Sequence, residues 1–139
     1  MATTTATITL ASNDIADNAL SISNTATLTT AGTDTGITET SGLARKKTSS
    51  GSNTVLIDSD AGIGVDITAD KSAKVYIKNV NDRGDGTKYV TILLTAVEIG
   101  RLYGGDWMFI PWCAASGKDI EFTPSDTTET TLEYTCFYE

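Results

Sequence analysis

No histidine occurs among the 139 residues. That removes the usual general base near neutral pH and the commonest metal ligand together. The serines therefore lack an imidazole to activate them, and Cys113 has no activating neighbour in sequence. Proline and cysteine are scarce, two of each. Cys113 and Cys136 permit one intrachain bridge, but a domain of this length needs none, so buried free thiols are expected. No apolar run approaches the length of a membrane span, and the first residues lack a basic region followed by an apolar stretch. A protein soluble when made is expected. Positive charge is also short: 10 Lys and Arg against 18 Asp and Glu give a net charge of −8. Nucleic-acid backbones and anionic membranes would repel such a chain, while a basic protein surface would not. No glycine-rich loop opens a helix, and no local motif sets two carboxylates at a glycosidase separation. No catalytic residue, metal ligand or cofactor site is assigned, and no enzyme is expected.

Threonine is abundant instead, with 25 residues. Its branched Cβ suits a pleated sheet, so the chain reads as all-β: an antiparallel β-sandwich or jelly-roll-like domain with an extended N-terminal arm or long loop. Residues 1–53 read as Thr-rich N-terminal strands and a long loop or arm, and residues 54–139 as the sandwich core, in what is overall one domain.

Thr3 to Leu10 alternates strictly, with Ala6, Ile8 and Leu10 opposite Thr5, Thr7 and Thr9. Leu20, Ile22, Ala26 and Leu28 keep the same parity, and the two runs suit a sheet with one exposed, Thr-studded face. From Thr29 to Asn53 large apolar residues nearly vanish, which predicts a long loop. It holds the only basic cluster, Arg45-Lys46-Lys47: either a solvated loop, or an arm that pairs with acidic surface on an identical neighbour. Thr54 to Ile57 and Ile63 to Thr68 read as short strands around Asp58-Ser59-Asp60-Ala61-Gly62. That segment faintly resembles a calcium loop, but Ala69 stands where the last acidic ligand belongs, and a plain turn is favoured. Ala73 to Val80 and Lys88 to Val97 read as the two strands of a hairpin, joined through Arg83-Gly84-Asp85-Gly86. Its tip reads as a structural turn, with a receptor contact or a weak cation site at Asn81, Asp82 and Asp85 as the sharper alternatives. Lys118 to Thr123 and Thr131 to Tyr138 complete the strands, the last with Leu132, Tyr134, Cys136 and Tyr138 on one face and Glu133, Thr135 and Phe137 on the other.

Arg101 to Trp112 is the densest aromatic run and holds both tryptophans. Tyr103-Gly104-Gly105-Asp106 is a turn signal, since adjacent glycines reach φ > 0 without steric cost. A strand should follow, with Trp107, Phe109 and Pro111 on one face and Met108, Ile110 and Trp112 on the other. Neither face is polar, so one is expected to include contacts between subunits. Trp107, Trp112 and Tyr103 could instead form a platform for a sugar, although core packing is the simpler reading of such a strand.

Val75-Tyr76-Ile77-Lys78-Asn79, the run from Ile99 to Trp107, Pro111-Trp112 and Leu132-Glu133-Tyr134 together resemble small virion structural proteins of tailed bacteriophages, especially marine cyanophages. The resemblance covers approximately residues 54–139, and the Thr-rich start resembles the group less specifically. It implies a β-sandwich on the capsid surface of the virion: a head decoration or cement protein that stabilises the shell, with the major capsid protein and other copies of itself as partners, often as a trimer. The interface residues expected are Trp107, Met108, Phe109, Ile110 and Trp112 in the aromatic strand and Arg45, Lys46 and Lys47 in the arm. The runner-up is a receptor-binding or fibre-associated adhesin of the tail, using the Arg83 to Gly86 tip or the aromatic residues on a host glycan.

Overall fold

Side-chain alternation in the sequence is matched by strands throughout the computed structural model, which describes residues 4–13, 20–29, 36–37, 39–49, 51–60, 72–84, 88–113 and 115–138. The described strands are β1 (Thr5–Ser12), β2 (Leu20–Thr27), β3 (Glu39–Thr40), β4 (Ala44–Thr48), β5 (Thr54–Ile57), β6 (Ser72–Asn79), β7 (Tyr89–Leu94), β8 (Val97–Tyr103), β9 (Trp107–Cys113), β10 (Ile120–Pro124) and β11 (Thr130–Tyr138). The chain divides into two compact units, Met1–Thr38 and Glu39–Glu139.

In the first unit β1 and β2 pair antiparallel along their whole length, from Thr5↔Thr27 to Ser12↔Leu20. Parity places Ile8, Leu10, Leu20 and Ile22 on one face and Thr7, Thr9, Ser23 and Thr25 on the other, where the Thr7 and Thr25 hydroxyls are 3.0 Å apart. The Thr-studded face is exposed as expected. The apolar face is exposed as well, at 39% for Ile8, 53% for Leu10 and 44% each for Leu20 and Ile22.

The second unit is a sandwich of two antiparallel sheets. One runs β5-β10-β7-β8; the other runs β3-β11-β6-β9, with β4 also on β11. The long-range pairs β4·β11, β5·β10, β6·β9 and β7·β8 nest one inside the next, and β11·β6 and β10·β7 close the two sheets. That is the jelly-roll arrangement, a ribbon of paired strands rolled into a barrel-like sandwich. The core lies between the sheets. Leu56, Ile57, Val90, Ile92, Leu102, Ile120 and Phe122 enter from one side, and Ala73, Val75, Ile77, Trp112, Leu132, Cys136 and Tyr138 from the other.

This topology corrects the hairpin expected from Ala73–Val80 and Lys88–Val97. β6 and β7 lie in different sheets, so the segment between them crosses the sandwich. The run to Val97 is also not one strand: Thr95 and Ala96 take φ of 51° and 61° and form the tight turn from β7 to β8. Positive φ at both central residues matches the twist of a two-residue hairpin, here without the usual glycine. β8, which the sequence reading did not separate, carries Ile99 as an extra residue where the pairing shifts between Ile92↔Gly100 and Leu93↔Glu98, the form of a bulge on an edge strand.

The long loop expected over Thr29 to Asn53 is likewise corrected. β3 and β4 both pair with β11, interrupted where Gly42 takes φ 74° and the Ser41 hydroxyl accepts from the Cys136 backbone N–H at 2.9 Å. Weak apolar content misled the reading, because β4 lies at a sheet edge and its alternate side chains face water. The expected strand Ile63 to Thr68 lies outside the described residues.

Candidate interaction surface

Among the described residues β9 is an edge strand of the larger sheet, and its two faces have different fates. Met108 and Ile110 pack against the core, and Trp112 is 5% exposed with its indole N–H donating to the Lys118 carbonyl at 2.8 Å. The odd-numbered face looks outward. In register with it lie two rows of β6 and β11: Trp107 beside Lys78 and Glu133, Phe109 beside Tyr76 and Thr135, and Pro111 beside Lys74 and Phe137.

Directly opposed side chains on a sheet are close enough to touch, and aromatic rings reach the diagonal neighbours too. The Tyr76 and Trp107 rings are 6.3 Å apart at 34°, and the Phe109 and Phe137 rings 6.3 Å apart at 64° in an edge-on arrangement. Thr135 is buried on the same face, with its hydroxyl 3.1 Å from that of Thr40. Burial pushes the Tyr76 hydroxyl pKa upward, and the negative charge of Glu133 adds to the shift. Trp107 remains 52% exposed. The outcome is a continuous aromatic surface on one sheet face.

Its charges have a definite sign. Glu133 accepts from the Arg45 guanidinium through Nε at 3.0 Å and Nη2 at 2.8 Å, which offsets its charge. Lys74 and Lys78, flanking Tyr76 on β6, form no ion pair with the described residues. A net-negative chain thus carries two cationic side chains within its aromatic face.

The basic cluster behaves differently from the arm expected of it. Arg45 pairs with Glu133, and Lys47 with Glu129 at 2.9 Å, so the acid sought on a neighbouring copy is met within the chain. The Lys47–Glu129 pair is exposed on both sides and contributes little to stability, whereas Arg45 is exposed and the Glu133 side chain it reaches is 13% exposed. Lys46 has the opposite parity and is half-buried beside a cleft of about 380 Å³ that Tyr134, Val55 and Leu56 also line.

Trp107, Trp112 and Tyr103 do not come together. Trp112 is interior, while Tyr103 pairs with Tyr89 at 5.6 Å on the other sheet, where the Arg101 guanidinium sits 4.6 Å over the Tyr89 ring. Arg83 is held by the β8–β9 turn, its Nε donating to the Gly104 carbonyl at 3.1 Å and its guanidinium paired with Asp106. Asp85 to Thr87, and with them the remainder of the Arg-Gly-Asp tip, lie outside the described residues; of the cation alternative Asn81 and Asp82 are described, and the Asn81 side chain is engaged by Asn79 and by the Thr131 backbone N–H. Asp58 caps a local turn, its carboxylate accepting from the Asp60 N–H at 2.8 Å. Of the two thiols, Cys136 is buried as expected, but Cys113, at the end of β9, is exposed.

The sequence reading missed Tyr76, Phe137, Lys74 and Lys78 as partners of Trp107. The alternation of β6 and β11 placed each on the polar side of its strand; what it did not carry was that these two strands are β9's neighbours.

Comparison with protein-family models, curated proteins and solved structures yields no match for the chain.

Proposed function

We propose that this protein is a structural component of a tailed-bacteriophage virion: a head decoration protein that stabilises the capsid shell and has no catalytic role. It docks through the outer face of the β11-β6-β9 sheet, with Trp107 as the anchor. The observation that carries this reading is the aromatic face itself. Tyr76, Trp107, Phe109 and Phe137 form one surface, and large aromatic side chains in well-packed patches dominate protein interfaces. Lys74 and Lys78 beside it, which form no ion pair with the described residues, match an acidic, apolar site on the major capsid protein. Two further points support it: the resemblance of residues 54–139 to small phage virion proteins, and the jelly roll, an architecture used by viral capsid and lectin domains. The latter is support by analogy of fold alone. A shell repeats its docking site many times, so a modest contact per copy suffices when copies are joined.

Purified protein added to heads of the encoding phage that lack it tests this. Wild type should bind and raise the temperature at which the heads rupture, and Trp107→Ser should weaken binding by about thirtyfold or more, as expected for loss of an interface anchor. Absence of binding by folded wild-type protein would contradict the proposal.

The exposed Trp107 ring beside Tyr76 also supports a second reading, an adhesin of the tail in which the same face stacks on a host glycan. Copy number separates the two: hundreds per particle for the head, a handful for the tail.

A further inference from the structure

We infer that the β1–β2 hairpin is a self-association element: in the assembled protein, hairpins from neighbouring copies pack their Ile8, Leu10, Leu20 and Ile22 faces against one another. The inference stands apart from shell binding, since it concerns the other unit of the chain and other residues.

An isolated two-stranded hairpin is marginal in water; independent stability needs more strands or a covered apolar face. Among the described residues the hairpin is a two-stranded sheet by itself, and the four large aliphatic side chains of its strands are between 39% and 53% exposed. They are neighbours on one face, because Leu10 pairs with Ile22 and Leu20 with Ser12 in the same register that brings Ile8 opposite Asn24. Apart from Ala11, the other face is Thr and Ser. Such clean alternation specifies which face is to be covered.

Charge indicates the occupant. The chain carries a net charge of −8, so two copies repel wherever their carboxylates approach. Neither Thr5–Ser12 nor Leu20–Thr27 contains a single Asp, Glu, Lys or Arg. The two strands therefore offer a surface on which identical copies meet without bringing like charges together, Asp14 and Asp17 being confined to the segment between them. A charged partner would find nothing to pair with there, whereas another copy presents the same uncharged aliphatic face. Four side chains per copy are far fewer than the ~20–30 residues a side of a standard interface, so association through the hairpin alone is weak and depends on concentration.

Light scattering on the full chain after size-exclusion chromatography, from low micromolar to millimolar protein, tests the inference. Wild type should show a mass that rises with concentration to a multiple of 14.7 kDa. Leu10→Ser with Ile22→Ser should raise the concentration of half-assembly by about tenfold or more, because the apolar area to be buried is lost. The thermal transition of the sandwich should stay unchanged in that variant, since its core is separate. Thr9→Lys, on the opposite face, should assemble as wild type does, and so should Trp107→Ser, which reports on shell binding alone. A wild-type chain that stays monomeric across the range, a double variant that assembles normally, or a Thr9→Lys variant that dissociates to the same extent would each overturn the inference.

Discussion

Trp107 and Trp112 lie on one strand with opposite parity, and the sheet separates them: Trp112 is 5% exposed in the sandwich core, Trp107 52% exposed on the outer face. Their truncations should therefore have opposite signatures. Trp112→Ala opens a cavity and strands the Lys118 carbonyl, and should destabilise the fold by about 3–5 kcal/mol in denaturant unfolding. Trp107→Ala should change stability by less than about 1 kcal/mol while abolishing partner binding.

The turn between β8 and β9 is packed tightly against the crossover that leaves β6. A Cβ at Gly104 would lie 2.5 Å from the Asp82 carbonyl oxygen and 2.6 Å from the Arg83 nitrogen, both backbone atoms that cannot swing away. Gly104→Ala should cost about 1–3 kcal/mol, as overpacking does. Gly100→Ala, where a Cβ meets nothing within 4 Å, should be neutral or slightly stabilising. Equal unfolding midpoints for the two variants would show that the turn does not pack as described.

Alkaline pH should loosen the fold. Burial pushes the Cys136 thiol up to about 12 from an ordinary 9.0. The Tyr138 hydroxyl moves up too, by burial first and then through the charges of Glu39 and Cys136, and Tyr76 is raised on the outer face. In each case the folded value lies above the unfolded one, so the unfolded chain releases its proton first. Stability is then intact below about pH 9 and is lost as pH rises from about 9 towards about 12. Denaturant midpoints measured across that interval should fall, and Cys136→Ala should flatten part of the slope.

The two thiols should be distinguishable by reagent. Cys113 is exposed at the end of an edge strand and Cys136 is buried between the sheets. A thiol-specific reagent should titrate one equivalent from the native protein and a second only after denaturation. Two equivalents at the same rate in native buffer would place Cys136 at the surface.

Much of the fold was legible because alternation is a local property. β1, β2, β6, β10 and β11 each show it, and the face of β11 that holds Leu132, Tyr134, Cys136 and Tyr138 was read with the right parity. What was illegible is non-local. A jelly roll pairs strands far apart in sequence, so Ala73–Val80 and Lys88–Val97, adjacent along the chain, could be mistaken for a hairpin although they belong to different sheets. β4 escaped notice because Arg45 and Lys47 face water and find acid at Glu133 on β11 and at Glu129 just before it, partners no local pattern announces. The aromatic surface was half legible: Trp107 and Phe109 were placed on one face, but Tyr76 and Phe137 join them only through the register of three strands.

Shell binding through the Trp107 face is tested most directly by imaging particles that carry labelled protein. Label should decorate the head in a regular array, and heads grown with Trp107→Ser protein should be bare although the variant is folded. Label confined to the tail, or a head array that persists with Trp107→Ser, would contradict it.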